Sequence, residues 1–211
     1  DMSIVREDDN NLWFGPLTAS AGLPHLFTTS GVLYFEVSVE SGTNDALVGL
    51  SLADGMDDDN IEDVIMGVGY NNKSWGLDLI HRGFKFSGGE RFGTPVKPNW
   101  DYEDIIGVAV NVDKGMIAVS TNGNWELTDG NGVAFEDTKI KAGVYPVLSA
   151  SKCRCNWRFQ SDELAYGPPP ESVWGLWPKY EDIHWIKLPI EARAAAIRLG
   201  YTQSSWSDNE D

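Results

Sequence analysis

The run "DIIGVAVNVDKGMIAVSTNGNWEL" (Asp104–Leu127) restricts the fold more than any other part of the chain. Short apolar stretches are cut by "DKG" and "NG", dipeptide-scale turns that supply the positive-φ positions of tight hairpins. The segment therefore reads strand, turn, strand, turn, strand. A helix would need apolar residues at a period of 3.6, not runs this short between turn signals.

The same grammar extends over most of the chain. In "LYFEVSVESG", Leu33, Phe35, Val37 and Val39 share one face. "DALVGLSLAD" follows after "GTN" as an antiparallel partner. "VAFED" and "VYPVLSA" add short apolar runs, and "CRCNWRF" places Cys153, Cys155, Trp157 and Phe159 on one face. In "SWGLDL", Trp75, Leu77 and Leu79 alternate with Ser74, Gly76 and Asp78, and "HRG" turns into "FKF". About ten short strands at 8–12-residue spacing predict an all-β fold, a two-sheet antiparallel β-sandwich.

The pattern changes at "YGPPPESVWGLWPKY". Three consecutive prolines cannot join a ladder or a helix interior, so residues 166–180 read as a stiff connector. Residues 1–165 are then the sandwich. Residues 181–211 form a short helical appendage and an acidic tail. Within the appendage, "LPIEARAAAIRLGY" has Pro189 in the first turn, Gly200 at the end and an apolar stripe of Ile190, Ala194 and Ile197. A helix of roughly a dozen residues is marginal alone, so Trp185 and Trp206 are expected to pin it to the sandwich or to a partner.

The net charge of -16 repels phosphate, so neither a nucleic acid nor an anionic membrane is an expected partner. No apolar run approaches the roughly 18 residues of a membrane span. The two cysteines, Cys153 and Cys155, stand two apart on a strand, where closing a disulfide is strained. They read as free thiols in a reducing compartment. With no signal segment visible, the expected location is cytoplasmic.

The search for catalytic groups finds none. There is no G-x-S-x-G elbow and no P-loop. His25, His81 and His184 lie far apart. A sandwich glycosidase needs paired carboxylates spaced like E-x-D-x-x-E on one strand, whereas Glu36 and Glu40 have only Ser38 between them on their face. The acidic loop "ADGMDDDNIED" puts Gly55 before its carboxylates, unlike a calcium loop, and reads as solvated. No metal, cofactor or catalytic residue is assigned. Of the nine tryptophans, Trp75, Trp125 and Trp157 lie in or beside strand alternation and read as core. Trp174 and Trp177, near the prolines, are less constrained.

Several of these segments together resemble the SPRY domain, a concanavalin-like β-sandwich. "GVLYFEVSVESG" is similar to its first strong strand and "VGYNNKSWGLDL" to its "SWG-x-D" signature. "DIIGVAVNVDKGMIAVSTNG" resembles its central hairpin, with Asn111 where an Asp is common and Val119 where an aromatic is common. "GVAFED" and "VYPVLSASKCRCNWRF" resemble later strands, and "VREDDNNLWFGPLTAS" the opening strand of the SPRY-and-SOCS-box branch. The resemblance covers Val5 to Phe159, and the SOCS box itself is missing.

The resemblance implies a non-catalytic protein-interaction module. It would bind a peptide or partner surface through loops at one edge of the sandwich, in an adaptor, a scaffold or a larger assembly. Carried over by motif position, the binding segments are Leu17, Thr18 and Ala19; Asp63, Val64 and Ile65, in the loop that ends at Tyr70; and Ser151 and Lys152. Lys152-Cys153 stand where the branch carries Trp-Gly, and its characteristic Arg in the opening loop is absent. A carbohydrate-binding, lectin-like module is one alternative, motivated by the tryptophans, Asp57–Asp59 and the Asn72-Lys73-Ser74 sequon. A structural subunit docking into a larger complex through residues 166–211 is another.

Overall fold

The computed structural model describes residues 4–6, 11–16, 18–42, 46–55, 67–80, 83–93, 95–96, 100–102, 104–125 and 132–174. Among them are β1 (Ile4–Arg6), β2 (Asn11–Phe14), β3 (Ala19–Gly22), β4 (Val32–Gly42), β5 (Ala46–Ser51), β6 (Ser74–Asp78) and β7 (Lys85–Ser87). There follow β8 (Glu90–Phe92), β9 (Ile105–Asn111), β10 (Met116–Thr121), β11 (Val133–Glu136), β12 (Tyr145–Ala150) and β13 (Cys153–Arg158). Every pairing is antiparallel. One seven-stranded sheet runs β1-β2-β13-β4-β9-β10-β11, and a six-stranded sheet runs β3-β12-β5-β6-β7-β8.

The period-2 alternation places the core. Phe35, Val37 and Val39 of β4 face inward with Val108 and Val110 of β9, Cys153, Cys155 and Trp157 of β13, and Trp75 and Leu77 of β6. Phe35 packs edge-on against Trp157, with ring centroids 6.0 Å apart. Asn122 and Gly123, at φ 50° and 76°, carry the left-handed turn that "NG" predicts.

The structure corrects the expected number of strands. Thirteen strands stand among the described residues where about ten were expected, because β1, β7 and β8 are only three residues long. Of the third strand expected at "NWEL", Asn124 forms the bridge Thr121↔Asn124, while Glu126 and Leu127 lie outside the described residues; β10 pairs with β11. On the outward faces, Glu36 of β4 is fully buried, as is all of β6.

Residues after β13 also pack on the sandwich. Trp174 is buried, and its carbonyl accepts Lys114 Nζ at 3.2 Å. The chain divides after Trp174. The expected C-terminal helix, with Trp177, Trp185 and Trp206, lies outside the described residues, as do His81, Arg82 and Asp57–Asp59.

Three connections cross between the sheets at one end: β2 to β3, β4 to β5, and β12 to β13. Register fixes their proximity. Ala150 pairs with both Ala19 and Ala46, while Cys153 pairs with both Phe14 and Gly42. Leu79, just beyond β6, reaches the same end by donating its N–H to the Ala46 carbonyl at 2.8 Å. This end is called the rim below.

Candidate functional site

The β12–β13 crossing is a two-residue turn. Ser151 is buried and Lys152 exposed, with Lys152 held at φ 48°. A left-handed lysine is sterically unfavourable. Its N–H donates to the Gly15 carbonyl at 2.7 Å, which ties this turn to the β2–β3 loop. Thr18 in that loop is half-buried, and Ala19 is buried where β3 begins. Leu17, Asp63, Val64 and Ile65 lie outside the described residues.

The segment that follows Ile65 comes back to the same place. Val68 N–H donates to Ser149 Oγ at 2.9 Å, and that hydroxyl also meets Ser20 Oγ at 2.7 Å. Gly67, at φ 92°, lies so close that a Cβ there would fall 2.9 Å from Ser149 Cβ. The Val68 carbonyl fills the space that a side chain on Gly76 would need, which explains the glycine of "SWG". Ser149 thus joins the flanks of all three segments singled out from the sequence. Tyr70 continues along the same face, because Ser149 alternates with Tyr145 and Val147 on β12. It stacks on Phe86, centroids 5.4 Å apart, beside Leu47, Val68, Tyr145 and Val147 on the outward face of the six-stranded sheet.

A cavity of about 150 Å³ opens at the rim, lined by Val39, Leu79, Ile80, Trp100, Asp101 and Tyr102. It is smaller than the roughly 300–1,000 Å³ of small-molecule sites and suits one inserted side chain. Trp100 Nε1 donates to Thr121 Oγ1 at 3.0 Å, which sets the indole, while Tyr102 is 55% exposed. Sequence reasoning missed Trp100 and Tyr102. The signal was "PNWDYED", two aromatics in a polar loop just before a strand.

Other residues of interest are structural. Asp78 is buried and caps its own turn by accepting Ile80 N–H at 2.8 Å. Trp75, Trp125 and Trp157 are buried, as their alternation predicts. Among the described residues no group of three or more His, Cys, Asp or Glu side chains is placed to hold a metal ion. The Asp54 carboxyl, hydrogen-bonded to Lys73 Nζ at 2.7 Å, is held below the usual carboxylate range by that bond. Burial, and then the hydrogen bond to Glu36, push the Tyr34 hydroxyl well above its ordinary value.

A family model described as the SPRY domain matches residues 32–162, more than half of the chain. Among solved structures, the SPRY domain of human HERC1 superposes with a TM-score of 0.58 at 16% identity, over 75% of this chain and 93% of that one. At that identity the likeness concerns the fold. Neither comparison singles out the SPRY-and-SOCS-box branch. No curated protein matches.

Proposed function

The chain belongs to the SPRY domain family, whose members are protein-interaction modules, and from that premise we propose that its rim binds a short peptide segment or a partner surface without catalysis. The supporting observation is the convergence at Ser149. One hydroxyl links β3, β12 and the Gly67–Val68 segment, so three loops from distant parts of the sequence present one surface. Exposed Lys152 stands on that surface. At the same end, the small cavity beside Trp100 and Tyr102 has room for a single side chain of the partner. Thr18, Ala19, Ser151 and Lys152 are the described contact residues of this reading, with Tyr70 at the margin; Leu17, Asp63, Val64 and Ile65 belong to it by motif position and lie outside the described residues. The setting is an adaptor, a scaffold or a larger assembly.

For the lectin reading, Trp13 is the exposed tryptophan among the described residues, at 37%. Trp75, Trp125, Trp157 and Trp174 are buried and offer no stacking platform for a sugar.

A displayed random-peptide library, panned on the wild type and on Lys152→Glu and Tyr102→Ala variants, tests the proposal. A consensus enriched on the wild type and lost on the variants supports it. A consensus that survives both substitutions moves the site elsewhere, and no enrichment at all overturns peptide recognition.

A further inference from the structure

Cys153 and Cys155 are both free and fully buried, with their sulfurs 3.5 Å apart. We propose that this pair is a dithiol modification site, oxidised by a hydroperoxide to a reversible intrastrand disulfide at the base of the rim.

Strand geometry sets the character of the bond. Two residues apart at a rise of about 3.3 Å each, the Cα atoms are about 6.6 Å apart, near the upper limit for a disulfide of about 6.8 Å. The sulfurs must close to about 2.05 Å, so the bond forms under strain. A strained disulfide has a high reduction potential and is easily reopened, which is the behaviour of a regulatory pair and not of a structural staple.

Two local features permit the movement. The ladder between β13 and β4 shifts register between Arg154 and Cys155, where β4 carries an extra residue, so on that side the pairing is irregular between the two cysteines, while the ladder to β2 runs unbroken through both. Cys153 also opens β13 directly after the exposed, left-handed Lys152, so an opening of that turn is the shortest route for a small oxidant.

The chemistry balances with the hydroperoxide as the only co-reactant. The Cys153 thiolate attacks one peroxide oxygen and the O–O bond breaks. With hydrogen peroxide, hydroxide leaves and Cys153 becomes a sulfenic acid. Cys155 sulfur then attacks the Cys153 sulfur, the S–S bond forms, and the sulfenyl oxygen leaves as water with the thiol protons. In total, two thiols lose two electrons and two protons, and one peroxide becomes two waters. The order of attack follows the hydrogen bond between the thiols. It holds the Cys153 thiol below the ordinary cysteine value, and it pushes the Cys155 thiol up, with burial adding to the rise.

The thiol chemistry does not depend on the function proposed above. The full chain is titrated with hydrogen peroxide, alkylated, denatured and weighed. The expected result is loss of two mass units with loss of both alkylation sites together, restored by dithiothreitol. Cys155→Ser is expected to accumulate a dimedone-reactive sulfenic acid, and Cys153→Ser to stay unmodified at the same dose. Phenylarsine oxide, which bridges adjacent thiols, is expected to bind the reduced wild type one-to-one and neither variant. This confirms that the pair is intact in the folded chain. Two thiols still alkylated after peroxide, or disulfides found only between chains, overturn the proposal. Failure of the peptide library leaves the mass readout untouched, so the two readings fail separately.

Discussion

The carboxylate of Glu36, fully buried on the outward face of β4, accepts the backbone N–H of Tyr166 at 2.7 Å, 130 positions away in the chain. It also accepts Ala165 N–H at 2.8 Å and the Tyr34 hydroxyl at 2.7 Å, with Arg158 Nη1 3.8 Å away. An ionised carboxylate has acceptor sites only, and here they meet three donors. The residues after β13 are thereby held against the seven-stranded sheet. An isolated buried carboxylate would be very unfavourable, and this one is compensated by donors from its own chain.

Replacing Glu36 with Gln is expected to destabilise the fold by about 1–3 kcal/mol, because the amide nitrogen faces a donor it cannot satisfy. Urea unfolding checks the magnitude. Limited proteolysis is expected to cut the variant earlier between Gln160 and Gly167. A variant as stable and as resistant as the wild type would show that the carboxylate does not hold this segment.

The same cluster predicts a loss of stability in alkali. The Tyr34 hydroxyl is raised, by burial first and by Glu36 second. A raised tyrosine stays protonated in the folded state while the unfolded chain begins to lose its proton near pH 10. Above that pH the folded state binds more protons, so stability falls as pH rises. Burial raises Tyr145 as well and adds to the slope. Unfolding midpoints between pH 8 and 11 are expected to decline, and Tyr34→Phe is expected to flatten the decline while lowering stability at neutral pH.

Trp75 lies in the core at 2% exposure, so Trp75→Ala is expected to cost about 3–5 kcal/mol. Calorimetry should show the loss directly. A variant that melts normally but no longer binds peptide would make Trp75 a recognition residue.

Gly67→Ala should act on the rim and not on the core. Its positive φ and the nearby Ser149 Cβ leave no room for a methyl group. The expected cost exceeds about 1 kcal/mol. Peptide affinity is expected to fall with it, because the Val68–Ser149 hydrogen bond that seats the loop is disturbed. Titration calorimetry with a library-derived peptide reads the second effect.

Much of the sandwich was legible before any coordinates. Alternation in "LYFEVSVESG" and "CRCNWRF" named the inward residues of β4 and β13, and "NG" named a turn. Alternation is a statement about neighbours along one strand, imposed by the pleat. It says which residues share a face, and nothing about what covers that face. The burial of Glu36 by a segment far along the chain is therefore not recorded in the alternation. Trp174, which is buried, read as less constrained than the strand tryptophans for the same reason.

The site divides similarly. Thr18, Ala19, Ser151 and Lys152 were reached through motif positions. Their junction at Ser149 and the cavity beside Trp100 and Tyr102 were not, since no local pattern records which loops meet. Local sterics and side-chain polarity are properties of short stretches of sequence, and strands and turns follow from them. Which outward face is covered, and which loops converge, depends on how two sheets cross over and pack. That packing is long-range, and only the folded chain contains it.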